Sequence, residues 1–282
     1  MPRTSRHCPL IRRLWPVLTV GLVLSACGSA PKFGTQDGIS QHIPPPADIA
    51  NIPDPTPKVE PLSNFGNPES YVVFGRRYHT LKDGVGYSER GIASWYGSKF
   101  HGRRTSSGEP YDMYAMTAAH KSLPLPSYAR VTNLRNDRSV IVRVNDRGPF
   151  HDNRLIDLSY TAAWKLGIIG EGTGLVEVVA IDPSTPLRVA KPEPVEVETP
   201  LTKGLPELFL QVGAFGSANN ADRLKQRIEE QLKVSVLIEE TAAATSPVYR
   251  VQVGPIASVE LADHLTQRLD QLGIRDPHVV IR

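Results

Sequence analysis

The chain has 282 residues, of which 40% are hydrophobic and 22% charged, as in an ordinary globular protein and unlike a disordered or fibrous one. Its 25 prolines exceed the needs of packed domains, so we expect part of the chain to serve as linker. The formal net charge of +3 falls to −1 without residues 1–26, which carry four arginines and no acid. The charge balance therefore argues against a polyanionic partner such as nucleic acid.

Residues 1–26 have the pattern of a bacterial lipoprotein signal. Their arginines precede an apolar stretch at 14–26 that is shorter than the ~20 residues of a bilayer-spanning helix. The sequence "LSAC" at residues 24–27, where this stretch ends, resembles a lipobox, so we expect Cys27 to be lipidated. Gly28 in the next position favours an outer-membrane anchor facing the periplasm of a Gram-negative bacterium. The alternative is an ordinary secreted protein with a chance cysteine.

Two proline-rich segments divide the remaining chain. Residues 27–70 are expected to form the lipidated amino terminus and a disordered tether, because such a composition buries little apolar surface. Residues 183–206 are expected to form a linker. The segments leave two folded units, at 71–182 and at 207–282.

The first folded unit is predicted to be mainly β. Its strand candidates are "GIASWYG", "ARVTNL" and "SVIVRVND", and its one convincing helix lies in "SYTAAWKLG". We expect Ser159 to cap the start of that helix and Gly167 to end it. Short strands separated by turns, with a single helix, favour a small β-barrel.

Two long stretches of this unit carry a specific resemblance. "GIASWYGSKFHGRRTSSGEPYDMYAMTAAHKSLPLPSYARVTN" and "VIVRVNDRGPFHDNRLIDLSYTAAWKLG" strongly resemble the rare lipoprotein A family. The resemblance implies a double-psi β-barrel, related in fold to barwin, expansins and some endoglucanases. It also implies a septal lytic transglycosylase that cleaves between N-acetylmuramic acid and N-acetylglucosamine, leaves a 1,6-anhydro sugar and prefers glycan without stem peptides. No cofactor is implied, and proteins of the septal ring would be further partners.

Asp146 matches the aspartate of the family motif "VNDRGPF" and is the candidate general acid/base. A lytic transglycosylase uses the C6 hydroxyl of the sugar as nucleophile, so one carboxyl group that acts first as acid and then as base can suffice. Regular alternation along the strand would place Asp146 beside Val142 and Val144, with Arg143 and Arg147 on the other side. An apolar side would favour the protonated form. The alternative is an ion pair or turn cap.

Three supporting residues match the family pattern "GE-x-x-D…TAAH". Glu109 is expected on a loop near the barrel mouth, where it would bind sugar or stabilise positive charge. Asp112 is expected to orient His120, and His120 to hydrogen-bond Asp146 or the sugar. The alternatives are a turn acid and a buried histidine satisfied by backbone. A metal is not expected, because His101, Asp112 and His120 fit no zinc spacing.

Aromatic side chains near these motifs have two interpretations. Trp95, Tyr96, Tyr111 and Tyr114 would stack on sugar rings, or they would pack in the core. Asp157, in "IDLS", is expected to serve the start of the following helix and to take no part in the reaction.

The second folded unit contains an internal repeat. "QVGAFGSANNADRLKQR" and "QVGPIASVELADHLTQR" align at a fixed offset of 41 residues. Each copy predicts a strand, an amphipathic helix and a strand, and two copies predict an α+β split βαβ domain of ferredoxin-like topology. "LFLQVGAF" and "YRVQVGP" resemble the SPOR (sporulation-related repeat) domain, which implies binding to peptidoglycan strands without stem peptides.

Strand alternation predicts which side chains of this unit lie on the open face of the sheet and contact glycan: Phe209, Gln211, Arg250 and Gln252. The alternative is that these are solvated positions, with Phe209 packed under a loop. An RNA-recognition module shares the topology, but "LFLQVGAF" lacks its paired aromatic and basic residues.

Three functions are compatible with these patterns. The first is a lytic transglycosylase targeted by the SPOR domain, and the second is a non-catalytic, expansin-like glycan-binding protein. The third is an endoglucanase-like hydrolase that uses Asp146 with Glu109 or Asp112 as second carboxylate. The motifs favour the first, because a candidate acid is present with polar neighbours and the second unit would bring it to glycan.

Overall fold

The computed structural model describes residues 46–184, 204–241 and 247–282. The predicted signal, Cys27 and most of the predicted linker lie outside these residues. Among the helices within the described ranges, none is long and apolar enough to cross a membrane.

A closed six-stranded barrel forms the first folded unit. A hairpin of β1 (Ser70–Val73) and β2 (Arg76–His79) precedes it. The barrel strands are β3 (Ser88–Trp95), β4 (Thr117–His120), β5 (Ser127–Asn133), β6 (Ser139–Asp146), β7 (Arg154–Leu158) and β8 (Gly174–Ile181). They close in the order β3, β7, β4, β6, β5, β8, with β3–β7 and β4–β6 parallel. The predicted barrel is therefore confirmed.

The interior of the barrel is filled by alternating apolar side chains. In β6, Val140, Val142 and Val144 are buried in the core, where Ile156 and Leu158 of β7 join them. Full burial of one such side chain contributes roughly 1.5–3 kcal/mol, so this alternation is the main reason that the segment forms a strand of the barrel.

The predicted helix is α1 (Tyr160–Leu166). The Ser159 hydroxyl accepts a hydrogen bond from the Ala162 N–H, and Gly167 ends the helix with a left-handed φ of 76°. Both expected caps are confirmed.

Residues 46–67, which we call the strap, run across the surface of the barrel. Ile49 is buried, and the Asp54 carboxylate accepts hydrogen bonds from the Ile141 N–H at 2.7 Å and from the Lys165 Nζ at 2.8 Å. The expectation of a disordered tether is therefore wrong for this segment. Its composition is that of a tether, but single polar and apolar side chains fix it to the barrel.

The second folded unit has the predicted split βαβ arrangement. Its elements are β9 (Leu208–Phe215), α2 (Ala218–Leu232), β10 (Val236–Thr241), β11 (Val248–Ile256), α3 (Val259–Gln271) and β12 (His278–Ile281). The antiparallel sheet has the order β10, β11, β9, β12. Leu210, Val251 and Val253 are buried in one core with apolar residues of both helices, as alternation predicted.

The two folded units contact each other through α3. Arg154 of the barrel donates to both carboxylate oxygens of Asp263, at 3.0 and 2.7 Å, and the Asn153 amide donates to the Thr266 hydroxyl at 2.7 Å. Ile92 of β3 is buried in the same apolar cluster as the core of the second unit. A paired Arg–carboxylate contact of this kind is geometrically specific.

Candidate active site

A β-bulge near the end of β6 determines the direction of Asp146. Ala118 of β4 pairs with Val144, and the next residue, Ala119, pairs with Asp146, so two residues of β6 lie opposite one residue of β4. Ala118 belongs to the barrel core, whereas Ala119 belongs to an outer apolar cluster. Asp146 therefore shares the outer face with Ala119. The predicted position beside Val142 and Val144 is wrong, because the bulge interrupts the alternation.

The Asp146 carboxylate is held by backbone and hydroxyl donors. Its Oδ1 accepts hydrogen bonds from the Ser106 N–H and Oγ, both at 2.7 Å, and from the Arg147 N–H at 2.8 Å. The Arg147 guanidinium points elsewhere and donates to the carbonyl oxygens of Gly66 at 2.7 Å and Leu123 at 2.5 Å. Among the described hydrogen bonds, the guanidinium groups of Arg143 and Arg147 therefore bind partners other than the Asp146 carboxylate.

Glu109 lies in an ion-paired cluster. Arg143 donates to both Glu109 oxygens at 2.7 and 2.9 Å and also donates to Glu60, and the Asn145 amide donates to Glu109 at 2.9 Å. The hydrogen bonds from Arg143 lower the pKa of Glu109 and outweigh its partial burial, which raises it. Glu109 is thus an ionised carboxylate beside the strand end that carries Asp146.

His120 is a buried structural residue. Its Nδ1 accepts hydrogen bonds from the N–H groups of Ser122 at 3.2 Å and Leu123 at 3.0 Å, and its Nε2 lies 2.9 Å from the Tyr87 hydroxyl. Burial lowers its pKa to about 3, so the ring is neutral. The expected hydrogen bond to Asp146 or to sugar is wrong, because both ring nitrogens already have partners.

Asp112 is separated from His120. Its exposed carboxylate accepts a hydrogen bond from the Tyr114 N–H at 2.9 Å and lies 3.7 Å from the His101 Nδ1. The expectation that it orients His120 is wrong. Asp112 stabilises a turn, which was the alternative interpretation.

The aromatic candidates pack mainly on one another. Tyr96 and Tyr111 are stacked, with ring centroids 4.0 Å apart, and both are buried. Trp95 is only partly buried. It packs edge-to-face with Tyr160, and the two ring centroids are 5.6 Å apart. Sugar stacking is therefore wrong for the two buried tyrosines, whose ring faces cover each other, and Trp95 keeps both interpretations.

Asp157 stands in the same row as Asp146. Ser94 pairs with Asp157 across β3 and β7, Asp157 pairs with Ala119 across β7 and β4, and Ala119 pairs with Asp146. Residues paired across strands point to the same face of a sheet. Because strands are about 4.8 Å apart, the two aspartates lie roughly 10 Å apart along the backbone row.

The surroundings of Asp157 differ from those of Asp146. Its side chain is partly buried, and this desolvation raises its pKa. The Ser94 hydroxyl donates a short hydrogen bond to it, and the charges of Arg154 and Lys121 act with that bond in the opposite direction. The expectation that Asp157 serves the helix start is wrong, because Ser159 caps α1.

The sequence contained a signal for this residue. Asp157 lies between Ile156 and Leu158, which both face the barrel core. A carboxyl group in the middle of an otherwise apolar strand is costly to bury, and such a group is a site candidate when it faces a neighbouring carboxylate.

The predicted glycan face of the second unit is partly covered. Phe209 and Gln252 are only 2% and 1% exposed, and Arg282 contacts both. Its guanidinium is 4.9 Å from the Phe209 ring centroid, and it donates to the Gln252 side chain at 2.5 Å and to Glu239 at 2.7 Å. The expected exposure of these two side chains is wrong. The remaining two of the predicted face keep partial exposure: Gln211 and Arg250.

Comparisons with known proteins agree with this architecture. Residues 88–178 match the family described as lytic transglycolase, and residues 207–281 match the SPOR domain. The endolytic peptidoglycan transglycosylase RlpA of Vibrio cholerae is 39% identical over 266 residues, covering 93% of this chain and 95% of the relative. The protein of the same name from Pseudomonas aeruginosa strain PAO1 is 38% identical over 275 residues, covering 80% of this chain and 79% of the relative.

Among solved structures, the RlpA SPOR domain from Pseudomonas aeruginosa is 27% identical. The match covers 26% of this chain and 96% of the solved domain, with a TM-score of 0.25.

Proposed function

The chain belongs to the RlpA family of endolytic peptidoglycan transglycosylases, and we propose that it cleaves between N-acetylmuramic acid and N-acetylglucosamine with a 1,6-anhydro product. It is a lytic transglycosylase, and its lytic transglycolase match lies in the barrel. The observation that carries the proposal is the row of Ser94, Asp157, Ala119 and Asp146, which brings two carboxyl groups to one face.

Asp157 is the general acid in this proposal. A glycosidic oxygen becomes a good leaving group only when a carboxylic acid protonates it. Burial raises the pKa of Asp157 and so keeps its proton available at higher pH than for an exposed aspartate. Asp157 gives this proton to the oxygen of N-acetylglucosamine as the bond to C1 of N-acetylmuramic acid breaks.

Asp146 is the general base. Three donors occupy Oδ1, which leaves Oδ2 to accept the proton of the C6 hydroxyl of N-acetylmuramic acid. The C6 oxygen then bonds to C1 and closes the anhydro ring. The nucleophile is a hydroxyl group of the substrate and is already close to C1. The enzyme therefore does not need to bind and activate a water molecule. The sequence hypothesis gave both roles to Asp146, and the row divides them between two residues.

Glu109 supports the developing positive charge at C1. Arg143 is shared between Glu60 and Glu109, Lys58 is a second cation near Glu60, and Glu109 is held by Asn145, the residue before Asp146. Oxocarbenium-like transition states are stabilised by fixed negative charge placed in this way.

We propose further that the SPOR domain brings the barrel to glycan without stem peptides at the division septum, where septal ring proteins are its neighbours. The SPOR match over residues 207–281 supports the glycan target. The lipobox-like sequence at Cys27 supports an anchor in the outer membrane on its periplasmic side. Gln211 and Arg250 are the partly exposed contacts that we propose for sugar on the open sheet face.

The products released from sacculi test the reaction. The full-length protein is incubated with sacculi from which stem peptides have been removed, and the new glycan ends are identified by mass spectrometry. We expect 1,6-anhydro ends. If the protein binds the sacculi but releases no glycan from them, the result would contradict the proposed catalysis and favour the expansin-like binding function.

Reducing ends in the same assay would favour a hydrolase, which is the second candidate function. The row gives it a specific basis, because a backbone separation of roughly 10 Å leaves room for a water molecule between two carboxylates, as in inverting glycosidases.

Localisation tests the targeting proposal. A fluorescent fusion of the full-length lipoprotein is compared with one that lacks residues 207–282. We expect the truncated protein to lose septal enrichment and to bind stripped glycan more weakly. Unchanged localisation and binding would contradict a targeting role for the SPOR domain.

A further inference from the structure

The second half of the strap, residues 60–67, lies against the loop at 105–109, which contacts Asp146 and carries Glu109. Ser63 donates its hydroxyl to the Ser107 carbonyl oxygen at 2.8 Å. Gly66 has a φ of +79°, and a Cβ there would lie 2.7 Å from the carbonyl oxygen of Ser106. Only glycine allows this close approach. The strap therefore packs directly on the residue that gives Asp146 two of its hydrogen bonds.

Glu60 makes the third contact, through Arg143. The Arg143 Nε and Nη2 donate to the two Glu60 oxygens at 3.0 Å each, while Nη1 and Nη2 donate to Glu109 at 2.7 and 2.9 Å. The Tyr128 hydroxyl also donates to Glu60. One guanidinium thus bridges a strap carboxylate and a carboxylate of the loop, and its planar shape fixes both.

The same half of the strap holds Arg147 from the other side. Its Nε donates to the Gly66 carbonyl oxygen at 2.7 Å, and its Nη2 donates to the Asn67 side chain at 3.1 Å. The Arg147 N–H is in turn a donor to Asp146. Ser106 and Arg147, which both donate to Asp146 Oδ1, therefore contact the strap.

The charge of Glu60 has its own consequence. Glu60 shares the positive charge of Arg143 with Glu109, and Lys58 is a further cation that acts on Glu60. Arg143 lowers the pKa of Glu109, and the negative charge of Glu60 opposes that effect. These side chains are only partly exposed, so solvent screens their interaction less than it would at the surface.

We infer that residues 60–67 of the strap complete the catalytic unit, and that Glu60 is a positioning residue that acts on Glu109 through Arg143. This inference rests on the role proposed for Glu109. It extends the catalytic unit to the amino-terminal side of the region at 88–178 that matches the lytic transglycolase family.

The test compares variants of the full-length protein in detergent on stripped sacculi. Glu60→Gln preserves the shape of the side chain but removes its charge. We expect kcat to fall by about ten- to hundredfold, because misplacement of a supporting group has effects of this size. KM should stay nearly constant, and the acidic limb of the pH profile should move to lower pH because Glu60 no longer opposes the ionisation of Glu109. Glu60→Asp should recover part of kcat.

Asp54→Asn is the matched control. It changes a carboxylate of the first half of the strap, whose partners are Ile141 and Lys165. We expect a lower melting temperature with unchanged kcat and pH profile, measured where the variant is folded. An equal loss of kcat in Asp54→Asn and Glu60→Gln would overturn the positioning role, because loosening of the strap would then explain both.

Glu109→Gln separates the inference from the proposed function. Loss of activity in Glu109→Gln, together with wild-type kcat and pH profile in Glu60→Gln, would overturn the strap inference and leave the role of Glu109 intact. Full activity in both variants would overturn both statements.

Discussion

Asp146 and Asp157 flank the same alanine in one row of the barrel, and both are partly buried, yet their hydrogen-bond donors differ. Asp146 accepts three hydrogen bonds at one oxygen from Ser106 and Arg147, whereas Asp157 has Ser94 as its described hydrogen-bond donor and has a pKa raised by desolvation. The raised pKa of Asp157 suits it to the role of acid, and the three donors at Oδ1 of Asp146 leave its Oδ2 for the role of base. The environment of each aspartate, more than its place in a motif, assigns its role.

The largest effect is expected from Asp157→Asn. Loss of a general acid reduces rates by roughly 10²–10⁴-fold, measured as release of anhydro-ended glycan. The variant should also be more stable than the wild type at neutral pH. The raised pKa of Asp157 means that ionisation costs the folded state free energy, and this cost develops as pH rises above the ordinary aspartate range.

The stability difference between wild type and Asp157→Asn should therefore grow from acid to neutral pH in urea unfolding. A folded variant with wild-type activity would contradict the assignment of Asp157 as the acid.

Asp146→Ala should show the opposite effect on stability. Activity should fall about 100-fold, because no base remains for the C6 hydroxyl. The free energy of unfolding should fall by about 1–3 kcal/mol, because the donors of Ser106 and Arg147 lose their acceptor. Urea titration and the glycan assay measure the two effects. An Asp146→Ala protein as stable as the wild type would show that these hydrogen bonds do not hold the loop.

Ser94→Ala sharpens the comparison without removing either carboxyl group. The Ser94 hydrogen bond lowers the pKa of Asp157, so its loss should raise that pKa further. Because the acid must be protonated, the basic limb of the pH–rate profile should move to higher pH, with a change of rate at the optimum below about tenfold. If the basic limb does not move, it does not report the ionisation of Asp157, and this prediction is contradicted.

The smallest effect on activity is expected from His120→Asn, because His120 contacts neither carboxylate of the row. Its pKa of about 3 lies below the ordinary value, so an unfolded chain takes up a proton that the folded chain does not. Wild-type stability should fall as pH drops from about 6.5 towards 3, and the variant should lack this part of the slope. If His120→Asn loses as much activity as Asp157→Asn, His120 takes part in the reaction and its structural assignment is contradicted.

Sequence patterns predicted the elements of this protein better than the directions of its side chains. Alternation identified β6, and the caps Ser159 and Gly167 bounded α1, because these signals are local. The repeat predicted the second unit because each of its two copies contains local strand and helix patterns. The position of Asp146 was not predictable from alternation, because the bulge depends on how β6 pairs with β4.

Long-range contacts explain the remaining errors. The strap has the composition of a tether, and only its partners on the barrel, such as Arg143 for Glu60, reveal that it is part of the folded unit. Phe209 alternates onto the open face as predicted, but Arg282, at the end of the chain, covers it. In both cases contacts with residues distant in sequence decide the outcome.

The central claim is that Asp157 is the proton donor. Its most direct test is to titrate the Asp157 carboxyl group in the folded protein and to monitor the titration by ¹³C NMR, with Asp157→Asn used to assign the signal. We predict a midpoint above the ordinary aspartate value of about 3.9, because burial outweighs the hydrogen bond from Ser94. A midpoint at or below that value would contradict the assignment of Asp157 as the proton donor.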